Sequence, residues 1–248
     1  MRPAEVAHKA RMALALLEPA ALAWRRFTCP LCAGRVLVRL ARSDIGVRCL
    51  RCGASAITLS HVSVLLRERP TFRREKVYEL SSRGPLFEYL RREVADLAFS
   101  EYFDGVAPGD YQGDVRCEDV QRLTHADATF DLVTCTEVFE HVADDRRGFA
   151  EVRRVLRPRG AFIFTVPLED ADSTLERAKA TASGIEHLLP PAYHHDRIRG
   201  LNAVLVFRDY GRDIVTRLRA AGFSQAWIDW DFRRAFLGQG RAVVVAQA

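Results

Sequence analysis

The sequence predicts an α/β fold, an open and largely parallel sheet with crossover helices, preceded by a small module stapled by cysteines. Three observations predict it. The runs Phe130 to Thr136 and Phe162 to Val166 are short, rich in β-branched and aromatic residues, and apolar on both faces, as buried parallel strands are. Between them lies an amphipathic stretch whose Phe149, Val152, Val155 and Leu156 form one stripe, so the three segments make a β-α-β crossover. Upstream stand two Cys-x-x-Cys pairs, Cys29 with Cys32 and Cys49 with Cys52, separated by sixteen residues.

From the amino terminus, residues 1–26 read as a helical segment. Its apolar part, Met12 to Trp24, is broken by Glu18 and Pro19 and is too short to span a bilayer. Ala-Leu-Ala at 21–23 imitates a signal-cleavage site, but the paired cysteines just after it favour a reducing cytoplasm. Residues 27–58 read as a zinc ribbon. Each cysteine pair can form a knuckle, Cys29, Cys32, Cys49 and Cys52 supply the four thiolates of a structural zinc, and Val36 to Leu40 with Ile45 to Arg48 give two strands. Disulfides are the weaker alternative, and Cys117 and Cys135 sit in buried runs as packing residues. Residues 59–75 read as a helical linker.

The remainder, 76–248, reads as one domain. Lys76 to Leu80 is the first strand, followed by the loop Ser81 to Pro85 and a helix carrying Leu86, Phe87, Leu90 and Val94. Leu97 to Phe103 is the second strand and carries Glu101 about twenty residues after the loop, where an acid commonly takes the ribose hydroxyls of a nucleotide cofactor. Asp144 and Asp145 suit the start of the crossover helix, and Pro158 with Gly160 stops it. Asp172 to Ala182 reads as a polar helix and Arg212 to Gly222 as a further helix. Gln225 to Asp231 and Ala242 to Ala246 read as closing strands.

Within this domain Asp119 with Leu123, then Phe130-Asp131-Leu132-Val133, Glu140-His141-Val142 and Leu156-Arg157-Pro158-x-Gly160 follow one another in a fixed order. The ordered set resembles the central half of a class I S-adenosylmethionine-dependent methyltransferase, and the resemblance extends over about residues 76 to 248. It implies a Rossmann-like sheet and S-adenosylmethionine as cofactor. It places Glu79, Ser81, Ser82, Arg83 and Gly84 around the methionine end, Glu101 on the ribose and Asp119 on the adenine, with Val120, Thr136 and His141 completing the cofactor set. The loop departs from the glycine-rich family pattern, since Gly84 alone remains; Arg83 is placed to grip the methionine carboxylate.

His187-Leu188-Leu189-Pro190-Pro191-Ala192-Tyr193-His194 and Phe207-Arg208-Asp209-Tyr210-Gly211 resemble elements of bacterial relatives that modify small molecules and sugars. The resemblance implies a small-molecule or glycoconjugate acceptor, with His194, His187 and Tyr193 as candidate catalytic residues and His194 orienting or deprotonating the nucleophile. Two other readings stay open. Residues 1–76 hold fifteen Lys or Arg against five Asp or Glu, and residues 77–248 twenty-two against twenty-seven, so a basic amino-terminal part precedes an acidic one. That suits RNA as a partner, as in ribosomal RNA base methyltransferases with a zinc module. The third reading is a non-catalytic protein that keeps the fold. No Walker loop or His-Glu-x-x-His stretch offers competing chemistry, and the oligomeric state stays open.

Overall fold

A computed structural model describes residues 17–196 and 201–248; the expected helix over residues 1–16 lies outside them. The chain divides into two compact units, one of Met1–Glu68 with Trp230–Ala242 and one of Arg69–Asp229 with Val243–Ala248.

In the first unit, β1 (Ala23–Arg26), β2 (Val36–Arg39) and β3 (Val47–Cys49) form an antiparallel sheet in that order. Leu37 and Val47 point into its core and are fully buried. Residues 17–26 are therefore not helical: Pro19–Ala21 is a short 3-10 turn, and Ala23 to Arg26 pair with Arg39 to Val36. Pro19 has no N–H to donate, and the Glu18 N–H donates to Leu40 O, one residue beyond β2. The helix α1 (Ala56–Glu68) begins where the Ser55 hydroxyl accepts from Thr58 N at 3.4 Å. Leu59, Val62, Val64 and Leu65 are fully buried, so α1 is a core element of this unit and not a linker. Residues 230–242 also belong here, although the sequence reads as one domain to its end. The Phe236 ring meets Phe27 edge-on at 5.6 Å, and Arg241 N donates to Ser60 Oγ at 3.0 Å.

The second unit is built on a six-stranded sheet. In chain order its elements are β4 (Lys76–Glu79), α2 (Gly84–Glu93), β5 (Asp96–Phe99), the hairpin β6 (Tyr111–Gln112) and β7 (Val115–Arg116), β8 (Phe130–Thr136), α3 (Asp145–Val155) and β9 (Leu156–Thr165). There follow β10 (Leu175–Glu176), β11 (Ala178–Thr181), β12 (Gly184–His187), β13 (Tyr193–Asp196), β14 (Leu201–Leu205), β15 (Arg208–Asp209), α4 (Ile214–Ala220), β16 (Gln225–Asp229) and β17 (Val243–Gln247). The sheet order is β16-β17-β9-β8-β4-β5. The pairs β5/β4, β4/β8 and β8/β9 are parallel, and β17 and β16 are antiparallel.

The apolar runs explain this core. Phe130, Leu132, Val133 and Cys135 of β8 and Phe162, Ile163 and Phe164 of β9 are buried, and Phe139 stacks on Phe149 of α3 at 4.5 Å. Asp144 caps α3 by accepting from Arg147 N. Two expectations change. The strand expected over Leu97 to Phe103 ends at Phe99, and Glu101 is held by a single parallel bridge to Cys117. The polar segment Asp172 to Ala182 forms strands instead of a helix: β11 pairs with β12 in register Ala178 to His187 and Thr181 to Gly184. The turn decides this, because Gly184 takes φ +123° and Thr181 Oγ1 bonds both Ser183 Oγ and Gly184 O. Among the described residues, no helix is long and apolar enough to cross a membrane.

Candidate functional site

The four cysteines of the first unit converge. Their sulfurs lie within 4.8 Å of one another, Cys29 to Cys52 at 3.8 Å and Cys32 to Cys49 at 3.6 Å, and none is in a disulfide. A tetrahedral ion with metal–sulfur bonds of about 2.3 Å sets its sulfurs about 3.8 Å apart. Two similar knuckles produce the cage: Ala33 N returns to Cys29 O and Gly53 N to Cys49 O, with positive φ at Ala33 and Gly53. A Cβ on Gly34 would lie 2.9 Å from Arg51 Cβ and 3.1 Å from Cys49 Sγ, so the cage leaves no room for a side chain there. Burial pushes the Cys49 thiol up, and the hydrogen bond to Cys29 with burial does the same to Cys52; a bound dication reverses that preference.

In the second unit the chain leaves β4 for β5 on one side and later places β8 on the other, so a topological switch point lies beyond the carboxyl ends of β4 and β8. Glu79 ends β4 and is 1% exposed, paired in register with Thr134, whose hydroxyl donates to Glu79 Oε2. Burial, with the Glu101 carboxylate adding to it, pushes the Glu79 carboxyl up to about 8.

The loop that follows is tied to Glu101. Ser82 N donates to Glu101 Oε1 at 2.8 Å, and the Ser81 and Ser82 hydroxyls do so at 3.1 Å each. Of the four loop residues only Gly84 takes positive φ, at +90°, and an added Cβ there would meet nothing within 4 Å; Arg83 is extended at φ −147°. Ser81, Ser82 and Arg83 therefore do not take the left-handed backbone that favours glycine. Asp119 lines a small polar hollow with Gln121, Arg122 and Arg147, and its Oδ1 accepts from Gln121 N and Nε2; Val120 is half-buried beside it. The hydroxyls of Thr136 and Thr165, ending β8 and β9, are buried without a hydrogen-bond partner. Open room at Gly84, carboxylates on three successive strand ends or turns, and orphaned hydroxyls at the switch point together fit a polar nucleoside-like cofactor.

Glu140 and His141 lie in the 3-10 turn Phe139–His141 just after β8. His141 Nδ1 is 2.8 Å from Leu205 O, its Nε2 is 3.6 Å from Glu140 Oε1, and its ring meets that of His194 edge-on at 5.1 Å. His194 and Tyr193 stand on β13, both exposed, and His194 Nδ1 is 3.7 Å from Glu140 Oε1. His187 is not in this cluster: it is exposed on β12, paired with Ala178. Phe207-Arg208-Asp209-Tyr210 clamps the turn. The buried Arg208 donates to the carbonyls of Phe139, Val142 and Ala143, and Phe207 N donates to Glu140 O. Arg208 and Arg217 both pair with Asp145 and Glu176, and Tyr210 donates to Asp145 at 2.9 Å.

Residues 80–164 match the methyltransferase-domain family. That stretch, about a third of the chain, is similar to a methyltransferase domain. The matched stretch of this domain holds Ser81, Ser82, Arg83, Gly84, Glu101, Asp119, Val120, Thr136 and His141, and leaves out Glu79, the four cysteines, His187, Tyr193 and His194. Over 119 residues the chain is 33% identical to the demethylmenaquinone methyltransferase of Deinococcus radiodurans, an alignment covering 46% of this chain and 47% of that protein. It thus spans about half the length of that curated relative, 47%. The structure of an S-adenosylmethionine-dependent methyltransferase from Mesorhizobium loti has a TM-score of 0.48 at 15% identity, with 76% of this chain and 98% of that one covered. A Burkholderia thailandensis 1,6-didemethyltoxoflavin-N1-methyltransferase, solved with 1,6-didemethyltoxoflavin and S-adenosylhomocysteine, has a TM-score of 0.47 at 19% identity, with 75% and 76% covered.

Sequence reasoning did not assign roles to Glu140 and Arg208. Glu140 stood in a recognised motif as a neighbour of His141, and an acid directly after an apolar strand was the available signal. Arg208 had no such signal, because its carbonyl partners lie more than sixty residues away.

Proposed function

We propose that the protein transfers a methyl group from S-adenosylmethionine to a small-molecule acceptor. The observation that carries this reading is the loop after β4, inside the stretch that matches the methyltransferase-domain family, whose Ser82 amide and serine hydroxyls converge on the Glu101 carboxylate. S-adenosylmethionine supplies a methyl group already activated on a sulfonium. The chain's own residues then have to bind, orient and exclude water. Glu101 is suited to the ribose hydroxyls, Asp119 and Val120 to the adenine, and Glu79 with residues 81–84 to the methionine end; Thr136 and His141 line the same face. The acceptor is met by the β13 side of the domain, where His194 orients it or takes its proton, with Tyr193 beside it. The small-molecule class is supported by the partial identity to a demethylmenaquinone methyltransferase.

In this reading residues 27–58 are a structural zinc module with Cys29, Cys32, Cys49 and Cys52 as ligands, and residues 76–248 carry the cofactor domain. The sulfur spacing and the crowded Gly34 support zinc, and a zinc-type cysteine set suits a reducing, cytoplasmic compartment.

Calorimetric titration with S-adenosylmethionine of the unmodified chain, Asp119→Ala and Glu101→Ala tests the cofactor assignment. Each substitution is expected to weaken binding by about 1 to 3 kcal/mol through lost hydrogen bonds. Unchanged affinity in both variants rejects these residues as the cofactor contacts.

A further inference from the structure

Glu140 presents a problem that the methyl-transfer reading does not solve. Its side chain is 1% exposed, and both carboxylate oxygens are buried with no hydrogen-bond partner. A carboxylate removed from water in this way is strongly disfavoured unless a cation or a donor meets it. Among the described residues no Lys or Arg ion pair reaches it. Among the described residues, its charged or chargeable neighbours within 4.0 Å are the imidazoles of His141 and His194, at 3.6 and 3.7 Å from Oε1. Both distances are too long for a hydrogen bond.

They are close to what a shared metal ion needs. One carboxylate oxygen of Glu140, one nitrogen of His141 and one of His194 all lie within 4.8 Å of one another. Bonds of about 2.0 to 2.2 Å to a tetrahedral ion set such donors roughly 3.3 to 3.6 Å apart, so small side-chain rotations close the cage. The ring of His141 is already set for it. Its Nδ1 is 2.8 Å from Leu205 O, which fixes the proton on Nδ1 and leaves the Nε2 lone pair toward Glu140. The backbone is fixed as well, by Arg208 on the carbonyls of Phe139, Val142 and Ala143 and by Phe207 N on Glu140 O. His194, with 46% of its side chain exposed, supplies the entry path.

We propose that Glu140, His141 and His194 form a binding site for a divalent first-row transition metal, separate from the four-cysteine cluster. Two imidazoles and one carboxylate suit Zn²⁺, Co²⁺ or Fe²⁺, whereas four thiolates select zinc. Three protein ligands with one exposed edge leave positions for outside oxygen donors, as catalytic metal sites do. Binding of the ion does not depend on the proposed activity. Its role, holding an acceptor that offers a hydroxyl or enolate oxygen, does rest on that reading, and with the ion bound His194 orients the acceptor through the metal and does not take its proton.

The test uses the full chain with its cysteine cluster filled with zinc, titrated with Co²⁺ and followed by visible absorption. One equivalent of Co²⁺ is expected to give d–d bands without the sulfur-to-metal charge-transfer absorption that a thiolate site produces. His194→Ala, on an exposed strand, and Glu140→Gln should each weaken this binding by about 100-fold or more while zinc content is retained. Failure of the unmodified chain to bind Co²⁺ in this way overturns the proposal; so does equal binding in both variants. S-adenosylmethionine titrated into the same samples reads the cofactor site separately, so loss of one result is distinguishable from loss of the other.

Discussion

The cysteine cluster and the site at the carboxyl ends of β4 and β8 are assembled in opposite ways. All four sulfurs come from two knuckles within twenty-four residues of chain, each closed by its own backbone hydrogen bonds. The second site gathers Glu79, Glu101, Asp119, Glu140 and His194 from segments spread over more than a hundred residues, and depends on a sheet to bring them together. A locally closed site can be lost only with its own module. A distributed one can be loosened from far away.

The largest effect expected from this contrast is at the cysteines. Cys49→Ser should abolish stoichiometric zinc and unfold the module, because structural zinc in such sites is worth on the order of 10 kcal/mol of folding free energy. Affinity for S-adenosylmethionine should stay within a few fold. Elemental analysis and circular dichroism of the variant check the first part, and calorimetry the second. A module that stays folded without metal would break the comparison.

Arg208→Ala sharpens the other half. It leaves Asp145 less compensated and the carbonyls of Phe139, Val142 and Ala143 without their donor, in a buried place, and should cost about 3 to 5 kcal/mol in urea unfolding. Stability within about 1 kcal/mol of the unmodified chain would remove the clamp from the account.

At the acceptor side the two histidines should separate. His194→Ala is expected to lower turnover by about 10²- to 10⁴-fold with cofactor affinity nearly unchanged, and His187→Ala, exposed on β12, by only a few fold. Steady-state kinetics on an identified acceptor decide it, and equal effects would return His187 to the site.

The smallest effect is a pH dependence at Glu79. Its carboxyl is pushed from 4.5 up to about 8 in the ligand-free fold, so the folded chain holds a proton that the unfolded chain releases. Ligand-free stability therefore falls as pH rises from near 4.5 through about 8. The ammonium of the methionine end favours the ionised carboxylate, so affinity should rise by at most about tenfold per pH unit up to that value and then level off. Calorimetry between pH 6 and about 9 checks it. Glu79→Gln should flatten the slope, and an unchanged slope would place the titrating group elsewhere.

Much of this was legible in the sequence for physical reasons. The paired cysteines announce a cage because their spacing is itself the geometry, and Phe130 to Thr136 announces a buried strand because it is short and rich in aromatic and β-branched residues. The methyltransferase motif order located the loop, Glu101 and Asp119. What was not legible depended on tertiary context. Asp172 to Ala182 has helix-compatible composition, and only Gly184 with the Thr181 side-chain bonds makes it a hairpin. The helix α1 reads as a linker until its buried Leu59, Val62 and Leu65 are seen in a core completed by residues 230–242. The isolation of Glu140 appears only when the residues around it are in place.

The central claim is that a glycine-poor loop, held by Glu101 without left-handed backbone at Ser81, Ser82 or Arg83, still makes a working cofactor site. Titration of the unmodified chain with S-adenosylmethionine and with S-adenosylhomocysteine, by calorimetry and thermal shift, tests it most directly. The account predicts one site per chain with a dissociation constant in the micromolar range or tighter. No heat and no shift with either compound at millimolar concentration would contradict it.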